Sequence, residues 1–536
     1  MKGKRFFSVT LAALLIAGAA LTGCSNSGNS STGSTGAGSS GGSSSSGESE
    51  ALFTYDGETA PVVNEDVTIN ITWLAQTSVV DENTTLVMQE IQKAWGDKIN
   101  IDWEIKDYSE YSESVGPRLN AGGDLPDVCA VPGGFDANGT YWKSGIFQDI
   151  SAYYEEYGYN LKKKYENYPS ILERLQNADG SMYYVPSFNM DKDYGINMMI
   201  NGKWLDAVGM DAPTNTDELY NVLKAFKDKD ANGNGQADEI PLTFNPGYEA
   251  HFSTIYGITL VDNFGQNDSG EWEVLWTTDT YKEYLTYMKK LYDEGLLDSS
   301  WSSNDGTSVN TKVANDTVGM TMNYSWSCTY DYSAAYEEYD GSKGIFHLMI
   351  PVKAPNGKQY YRGIDALGAV YGITRECEHP DLVFAMMDYL YQDDMVKLAN
   401  LGIKGTDWKE NDDGSIWIDE VLLNDPERVE LLGTNPRCIP FEQSVVAIDP
   451  QFPKWHQEEN AAVREYIAEP LSWTPANDAD KAVYEQYITD LNKYWWEQMT
   501  KFIVGDASLD DWDSYVQTCQ NMGQDKVFEV FLNSQK

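Results

Sequence analysis

The residues with the most distinct chemistry form a short acidic run between residues 228 and 239. Side-chain oxygens recur through this run at nearly alternate positions, at Asp228, Asp230, Asn232, Asn234, Asp238 and Glu239. Alternation around a glycine turn lets side-chain and main-chain oxygens converge on one point, as a hard cation such as Ca²⁺ requires. The run therefore predicts a calcium-binding loop, with an uncoordinated Asn/Gly turn as the alternative.

Two registers of this loop fit the calcium-loop template. The first begins at Asp228 and uses Asp228, Asp230, Asn232, Gly233 and Glu239. The second begins at Asp230 and uses Asp230, Asn232, Asn234, Gly235, the main-chain carbonyl of Gln236 and Asp238, followed by Glu239. The second is preferred because it leaves Asp228 as the end of a preceding helix. We expect a structural Ca²⁺, since Ile240 to Leu242 continue directly into a buried strand.

The predicted calcium loop must be held in place by the strands and helices around it. Strand and helix patterns alternate along the chain, and this alternation predicts an α/β fold. The predicted strands are Val67–Leu74, Ile99–Ile105, Val128–Val131, Met182–Pro186, Ile196–Ile200, Ile240–Phe244, Thr317–Met322, Phe346–Ile350 and Ala366–Ile373. Apolar spacing predicts one helix from Tyr281 to Tyr292 and another from Leu219 to Phe226, with Thr214 and Asp217 placed to cap the second. After about Asp478 two long helical patterns remain, at 481–503 and 509–532.

The first fifty residues predict export and attachment. Basic residues precede an apolar stretch from Val9 to Leu21, which suits a signal peptide and is shorter than the ~20 residues of a membrane span. The sequence Leu21-Thr22-Gly23-Cys24 resembles the lipobox of bacterial lipoproteins. We expect cleavage before Cys24 and its acylation, with chains such as palmitate holding the protein on the outer face of the cell membrane. Simple secretion is the alternative.

Composition excludes several classes of partner. Asp and Glu outnumber Lys and Arg by 83 to 38, and the formal net charge of -45 argues against binding to nucleic acid. The charge favours a neutral ligand, although an arginine inside a cleft would still attract an anion at short range. Five further cysteines show no metal spacing, and we expect most to be buried thiols. These are Cys129, Cys328, Cys377, Cys438 and Cys519.

Several segments occur in an order that is typical of one family. They are Asp124–Val128, Tyr184–Pro186 with Ile196–Asn201, Val318–Trp326, and Gly363–Thr374 with His379–Asp381. This order resembles the extracellular solute-binding proteins of ABC sugar importers, family 1, and within them the calcium-loop branch that includes alginate- and oligosaccharide-binding proteins. The resemblance covers roughly Val67 to Pro450.

The resemblance implies a two-lobed α/β fold of the periplasmic-binding-protein type (type II-like), with a hinge and a ligand cleft between the lobes. The implied division is a signal peptide at 1–23, a lipidated cysteine and tether at 24–64, lobe 1 at 65–190 plus 375–435, and lobe 2 at 191–374 plus 436–536. The implied function is that of a lipid-anchored, monomeric substrate-binding protein of a Gram-positive cell. It would deliver a carbohydrate, a neutral oligosaccharide on the charge argument, to the transmembrane subunits of an ABC permease.

Aromatic content agrees with a carbohydrate ligand, because sugar rings stack on aromatic side chains, and the chain has 16 Trp and 35 Tyr. Most of these must pack in the core, so position in the family pattern selects the candidates. The predicted ligand-binding residues are Trp73, Gln76, Asp127, Phe135, Asp136, Asn189 and Trp326. Asp365 and Arg437 are added, although a lone charged residue near a crossing between lobes often belongs to a structural salt bridge.

Catalytic motifs are missing from the sequence. It contains no HExxH, GxSxG or GxxxxGK pattern, and its four histidines are scattered. We therefore predict no enzyme. Two alternatives stay open: a calcium-dependent surface adhesion or sensor lipoprotein, and a glycosidase, which needs only two carboxylates about 5 to 10 Å apart.

Overall fold

Two mixed β-sheets organise the fold, and the nine predicted strands build both of them. The computed structural model describes residues 51–64, 66–77, 81–135, 139–177, 179–189, 195–412, 414–418, 430–444, 449–471 and 473–536. Predictions for the signal peptide, Cys24 and Asp136 therefore lie outside the described residues.

The first sheet has five strands. In spatial order they are Ile99–Asp107, Ile69–Thr77, Val128–Ala130, Leu367–Ile373 and Val185–Phe188. The first three run parallel, and Leu367–Ile373 is antiparallel to both of its neighbours. The predicted division of the chain assigned Leu367–Ile373 to lobe 2. Its hydrogen bonds, however, join it to two strands of the first sheet.

The second sheet has four strands, in the order Phe346–Leu348, Ile196–Asn201, Val318–Tyr324 and Ile240–Leu242. Val318–Tyr324 is antiparallel to Ile196–Asn201 and parallel to Ile240–Leu242. All six residues of Ile196–Asn201 are buried. Such continuous burial is expected of a strand that is covered on both faces.

Each sheet has its own hydrophobic core. The first core contains the buried residues of the first sheet together with helices that cover it, such as Pro380–Tyr389. The second contains the second sheet and the carboxyl-terminal helices, including Trp495 and Phe531. Two separate cores, each assembled around one sheet, are the physical basis of a two-lobed molecule.

Helices cover both sheets; most bury one apolar face, whereas Pro380–Tyr389 is buried on all sides from Leu382 onward. Among the described residues, the helices of seven or more residues are Leu86–Trp95, Tyr108–Ala121, Ser151–Tyr157, Tyr159–Asn167, Pro169–Leu175, Gly202–Val208, Thr216–Asp228, Asp279–Asp293, Gly306–Ala314, Pro380–Tyr389, Asp393–Leu401, Lys454–Arg464, Asp478–Val504, Trp512–Asn521 and Gln524–Ser534. In Asp279–Asp293 the predicted stripe from Tyr281 to Leu291 is buried, and the Thr278 hydroxyl accepts a hydrogen bond from the Tyr281 amide. None of the described helices is long and apolar enough to cross a bilayer.

Two helix predictions needed correction. The cap of Thr216–Asp228 is Asn215, whose side chain accepts a hydrogen bond from the Glu218 amide. The predicted helix at 509–532 is divided into two helices at Gly523, which has a φ of 96°. A side chain there would collide with the Tyr487 ring, so only glycine can make this left-handed break.

The chain passes between the sheets near one end of each. It leaves the first sheet after Phe188, enters the second at Ile196, and returns between Arg362 and Leu367. An isolated bridge between Gly195 and Gly363 ties these two passages together. A later passage lies between Gln443 and the helix that begins at Lys454. We call the ends of the sheets that adjoin these passages the crossing ends.

Candidate functional site

The crossing end of the first sheet gathers side chains from several strands. The parallel strands Ile69–Thr77, Val128–Ala130 and Val185–Phe188 all finish there, and Leu367–Ile373 begins there. Ligands of open α/β sheets bind outside the carboxyl ends of the strands, because the connecting loops leave a crevice at that point. The topology therefore makes this end a candidate binding site.

A cavity of about 340 Å³ lies at this end, and we call it the first-sheet pocket. Its lining is Gln76, Tyr108, Gly134, Ser187, Asn189, Leu367, Gly368, Ala369, Arg437 and Phe441. The lining mixes amide, hydroxyl and guanidinium groups with apolar surface, which suits a ligand with both hydroxyl groups and C–H faces. The pocket brings together three predicted residues, namely Gln76, Asn189 and Arg437.

Arg437 is the one charged side chain in the lining of this pocket. Its guanidinium lies 5.4 Å from the centre of the Phe441 ring, and its main-chain amide donates a hydrogen bond to Glu82 Oε2 at 2.9 Å. Burial raises the pKa of the Glu82 carboxyl, although that hydrogen bond acts in the opposite direction. Within the described residues, no salt bridge holds the Arg437 guanidinium.

A bulge shapes the opposite wall of the pocket. The pairing register shifts between Leu367 and Val370, so that Gly368 approaches the neighbouring strand closely. A Cβ atom at Gly368 would lie only 3.0 Å from the Ser187 carbonyl oxygen and 3.1 Å from Asn189 Oδ1. Bulges of this kind re-aim side chains next to binding sites. The glycine thus permits the close packing that holds Asn189 at the pocket.

The crossing end of the second sheet carries exposed aromatic rings. Trp326 follows the strand Val318–Tyr324, is 38% exposed, and stacks on Tyr324 with ring centres 4.4 Å apart and planes at 4°. Tyr248 meets the Tyr324 ring edge-on at 6.2 Å, and its hydroxyl donates to Asn323 Oδ1 at 3.2 Å. We call Tyr248, Tyr324 and Trp326 the aromatic platform. A flat, partly exposed stack of this kind can receive the apolar face of a sugar ring.

Trp73 does not reach either surface. Its side chain is 0% exposed and packs among Trp95, Trp103 and Tyr371, with ring centres 5.5 to 6.3 Å away. The strand continues to Thr77, beyond the predicted end at Leu74, and so Trp73 lies in the middle of the sheet. It is a core residue in this structure, and no surface of its ring is left for a ligand.

Asp127 is hydrogen-bonded to a neighbouring strand and does not line the pocket. Its Oδ2 accepts hydrogen bonds from the Thr72 amide at 2.7 Å and the Thr72 hydroxyl at 2.8 Å. It precedes Val128 at the start of a strand, whereas the pocket lies at the end of that strand. Asp127 therefore fastens two strands together away from the pocket.

Phe135 and Asp365 share one partner. Arg174 donates from Nη1 to both carboxylate oxygens of Asp365, at 2.8 and 2.9 Å, and its guanidinium lies 5.6 Å from the Phe135 ring centre. Asp365 therefore belongs to a structural salt bridge with Arg174, which was the alternative to ligand binding for this residue. The Asp365 carbonyl also accepts a hydrogen bond from Asn189 Nδ2 at 3.1 Å, so this cluster supports the pocket from outside it.

Sequence reasoning missed several residues of the pocket and the platform. Tyr108 directly follows the strand Ile99–Asp107, which is the same signal that identified Trp326. Gly368 gave no such signal, because it lies inside the predicted strand Ala366–Ile373. Ser187 directly follows the predicted strand Met182–Pro186, and in the structure it lies inside the strand Val185–Phe188. Phe441 lies in a loop and Tyr248 ends the short 3-10 helix Pro246–Tyr248, and the positions of both depend on how the chain packs.

The acidic loop lies at the other end of the second sheet. The loop precedes Ile240, which pairs with Val318 on the neighbouring strand. Val318 and Tyr324 are the two ends of that strand, six residues or about 20 Å apart. Asp228 ends the helix Thr216–Asp228 and pairs with Lys224 at 3.1 Å. The loop proper then begins at Asp230, as the second register requires.

Hydrogen bonds tie the polar side chains of this loop to one another and to its main chain. The Gly235 amide donates to both carboxylate oxygens of Asp230, and Asn232 and Asn234 donate to Asp238 at 3.0 to 3.1 Å. Burial, together with the carboxylates of Asp230 and Asp238, raises the pKa of Glu239. Glu239 Oε1 is buried and has no hydrogen-bond partner within the described residues. A cation at this point would satisfy that oxygen and relieve the repulsion.

The arrangement of possible metal ligands and the state of the cysteines bear on two further predictions. Over the described ranges, no group of three or more His, Cys, Asp or Glu residues is arranged to hold a metal ion. Asp230, Asp238 and Glu239 of the acidic loop are not such a group in this structure, so the Ca²⁺ site stays a prediction. The five cysteines predicted to be mostly buried thiols are all buried and unpaired.

Comparisons with known proteins agree with this geometry. Residues 81–397 match the family model of bacterial extracellular solute-binding proteins. The fructooligosaccharide ABC transporter substrate-binding protein FusA of Streptococcus pneumoniae serotype 4 is 25% identical over an alignment 508 residues long, which covers 88% of this chain and 90% of FusA. The lipoprotein LipO of Bacillus subtilis is 24% identical over an alignment 470 residues long, which covers 82% of this chain and 87% of LipO.

Solved structures show the same fold. FusA of S. pneumoniae in complex with kestose superposes with a TM-score of 0.70 and 21% identity, over 86% of this chain and 97% of FusA. A FusA EF-hand mutant in complex with fructo-nystose gives a TM-score of 0.69 at 21% identity over the same shares. The alginate-binding protein AlgQ2 without calcium ion gives 0.69 at 18% identity, over 88% and 98%. The two-lobed α/β fold is thus confirmed, and the chain belongs to the bacterial extracellular solute-binding proteins.

Proposed function

We propose that this protein captures an oligosaccharide between its two lobes and delivers it to the membrane permease of an ABC transporter. The observation that carries the proposal is the pairing of the first-sheet pocket, rich in hydrogen-bonding groups, with the aromatic platform at the crossing end of the second sheet. Sugars need both kinds of contact, since hydroxyl groups seek polar partners and C–H faces seek aromatic rings. The name of FusA, a fructooligosaccharide-binding relative, supports the same ligand class.

Gln76, Asn189 and Arg437 are the proposed polar contacts, joined by Tyr108, and Trp326 is the proposed stacking residue. Asp136 stays a prediction, since it lies outside the described residues. Contacts from both lobes exist together only when the lobes close, so the ligand stabilises the closed form by its higher affinity for that form. Arg437 can donate two hydrogen bonds to adjacent hydroxyl groups of a sugar, because its guanidinium is a planar fork of donors.

Lipid anchoring at Cys24 remains part of the proposal, as do the permease partner and a monomeric state. The lipobox-like sequence and the name of the relative LipO support the anchor. For the lobes, we infer the predicted division with two changes. The return crossing lies near Gly363, since Leu367–Ile373 belongs to the first sheet, and the next crossing lies after Gln443, since Cys438 and Ile439 belong to the first core.

Ca²⁺ is the proposed ion of the acidic loop, held by the second register: Asp230, Asn232, Asn234, the Gln236 carbonyl, Asp238 and Glu239. The neighbouring carboxylates and the unpartnered Glu239 oxygen fit a hard cation. Bound there, the ion would neutralise the loop and fix it to the start of the strand at Ile240. Its distance from the platform supports a structural role.

Paired substitutions test the calcium proposal. Ca²⁺ should raise the melting temperature of the wild-type protein, with a stabilisation of about 2.7 kcal/mol when free Ca²⁺ is 100-fold above Kd. Asp230→Ala should abolish that response, whereas Asp228→Ala, which removes a ligand of the first register only, should keep it. Equal melting of the wild type with Ca²⁺ and with chelator would remove the ion from the proposal.

A ligand screen tests the main proposal against its rivals. Purified protein is screened by thermal shift against neutral and acidic oligosaccharides, and each hit is titrated by calorimetry and examined for cleavage. A receptor gives saturable binding of short soluble oligosaccharides that are recovered intact. Cleaved products would indicate a glycosidase, and binding restricted to polymer or to cell surfaces would indicate an adhesin.

A further inference from the structure

A second and larger cavity lies in the second lobe. Its volume is about 620 Å³, nearly twice that of the first-sheet pocket. One wall is the hairpin of Phe264–Gln266 and Trp272–Val274, and another is the start of the last helix, Gln524–Ser534. The turn that leads into the helix Asp279–Asp293 forms a third. We call this space the hairpin cavity. Among the described residues, it shares no lining residue with the first-sheet pocket or the aromatic platform.

Aromatic packing fixes the walls of the hairpin cavity. Phe264 stacks on Phe531 of the last helix with ring centres 4.3 Å apart, and Trp272 meets the same ring edge-on at 4.9 Å. Phe264 is buried, whereas Trp272 and Phe528 are half-buried and line the cavity. The rings thus hold the hairpin against the helix, and two of them present aromatic surface to a ligand.

Gln524 leaves a polar atom without a partner at this cavity. The residue lines the cavity, is 5% exposed, and donates a hydrogen bond from Nε2 to the Thr277 hydroxyl at 3.0 Å. Its Oε1 is buried and accepts no hydrogen bond from the described part of the chain. A buried amide oxygen without a donor lowers stability, because it has given up its hydrogen bond to water. A ligand with N–H donors would satisfy it.

Carboxylates surround the same space. The lining contains four of them, at Asp268, Glu273, Asp279 and Asp525. Lys358 is the single basic residue among the described lining residues, and its Nζ donates to the Gln266 carbonyl at 3.3 Å. Burial raises the pKa of the Glu273 carboxyl, Lys358 opposes that rise, and Asp268 adds to it. Negative charge therefore exceeds positive charge in this lining, and a cation would relieve the excess.

Other classes of ligand fit this lining less well. Asp279 and Asp525 lie in the first turns of their helices, where they already offset the positive ends of the helix dipoles, so an anion is not required there. A metal ion would need several ligating side chains around one point, and the described ranges contain no such group of three or more His, Cys, Asp or Glu residues. A neutral ligand would leave the negative charge uncompensated.

We propose that the hairpin cavity binds a small aliphatic diamine or triamine. Its ammonium groups donate the hydrogen bonds that Gln524 Oε1 and the carboxylates accept, and they are attracted to the faces of Trp272 and Phe528. Its methylene spacer suits the apolar part of the lining, and the cavity volume lies within the roughly 300 to 1,000 Å³ of small-molecule sites. The site does not depend on the oligosaccharide function proposed above. A bound amine fastens the last helix to the hairpin and stabilises the second lobe.

Calorimetric titration with putrescine, cadaverine and spermidine tests the site, at about 150 mM NaCl to screen exposed charges. The wild-type protein should bind an amine saturably and melt at a higher temperature in its presence. 1,4-Butanediol, which has the spacer without the charges, should do neither. Glu273→Gln should weaken amine binding roughly tenfold, because a hydrogen bond to a charged group is lost. Glu337→Gln removes an exposed carboxylate of the second lobe outside the lining and should change nothing.

Substitutions of Gln524 have opposite expected signs. Gln524→Glu keeps an oxygen for the Thr277 hydroxyl and adds negative charge, so it should strengthen amine binding. Gln524→Met removes the acceptor and should weaken binding roughly threefold. The melting temperature of each variant without amine checks that it is folded.

Three results would overturn the site. One is equal amine affinity in the wild type and Glu273→Gln, and another is a thermal shift that NaCl reproduces at the same ionic strength, since both would reduce the effect to general attraction by an acidic protein. The third is binding of a trilysine peptide when all three amines fail, which would make the cavity a contact for a basic protein segment.

Discussion

The crossing ends of the two sheets differ in how they use aromatic residues. At the first sheet, Trp73 is buried behind a surface of amide, hydroxyl and guanidinium groups. At the second, Trp326 and Tyr324 form the surface themselves. Both tryptophans lie in or after a β-strand, and sequence reasoning placed both at the cleft. The difference teaches that the position of a residue along its strand, more than its type, decides whether it packs or binds.

The largest expected effect comes from Trp73. Trp73→Ala should lower the free energy of unfolding by about 3 to 5 kcal/mol, because it empties a fully buried site among other rings. Denaturant unfolding followed by circular dichroism measures this change. Trp326→Ala is the matched control and should lose less, about 0.5 to 1.5 kcal/mol, because its ring is partly exposed and its main packing contact is the stack on Tyr324. Equal losses of unfolding free energy in the two variants would show that Trp73 and Trp326 do not differ in their contribution to packing.

A second prediction concerns pH and the support of the aromatic platform. Glu249 follows Tyr248 in the chain, is fully buried, and accepts a hydrogen bond from the Tyr284 hydroxyl. Burial raises the pKa of Glu249 from 4.5 to about 8. The folded protein therefore holds a proton that the unfolded chain has lost, and stability contributed by this group falls as pH rises from about 4.5 to about 8. The slope is at most about 1.4 kcal/mol per pH unit.

Glu249→Gln removes the titrating carboxyl group and so isolates its contribution to the pH dependence of stability. The variant should lose less stability than the wild type between pH 5 and pH 8, measured by urea unfolding at each pH. His251, whose pKa burial lowers to about 4, has the opposite slope below about pH 6.5 and is present in both proteins. Parallel curves for the two proteins would show that Glu249 is charged in the folded state, contrary to the expectation.

The third prediction is the counterpart of the first. Trp326→Ala should weaken oligosaccharide binding roughly tenfold, or about 1.4 kcal/mol, with only a small decrease in melting temperature from the lost stack on Tyr324. The physical reason is the loss of a stacking surface that no other residue of the platform replaces. Calorimetric titration measures the affinity. An unchanged affinity across the ligand panel would assign Trp326 to packing, like Trp73.

The smallest expected effect lies at the first-sheet pocket. Gln76→Ala should weaken binding roughly threefold, because one neutral hydrogen bond contributes about 0.5 to 1.5 kcal/mol. Asp127→Asn is its control, as Asp127 is tied to Thr72 away from the pocket and should affect stability alone. If Asp127→Asn weakened binding more than Gln76→Ala, the assignment of the two residues would be reversed.

Much of the fold was predictable because strand signals are local. All nine predicted strands are present, and their ends differ from the predicted ones by a few residues. Those few residues mattered most at Ile69–Thr77, where an extension of three residues moved Trp73 into the sheet. The break at Gly523 was missed for a similar reason: the apolar spacing continues through it, and only the left-handed backbone separates the two helices.

The sequence by itself determined the α/β class, the strands, the buried thiols and the family resemblance, since periodicity, composition and motif order are properties of the chain. Tertiary structure decided which residues share a surface. Gln76, Asn189 and Arg437 are distant in sequence and meet only because parallel strands end together beside a late loop. Trp73 and Trp326 were alike until the neighbours of each were known, because burial depends on contacts between segments and no local pattern records them.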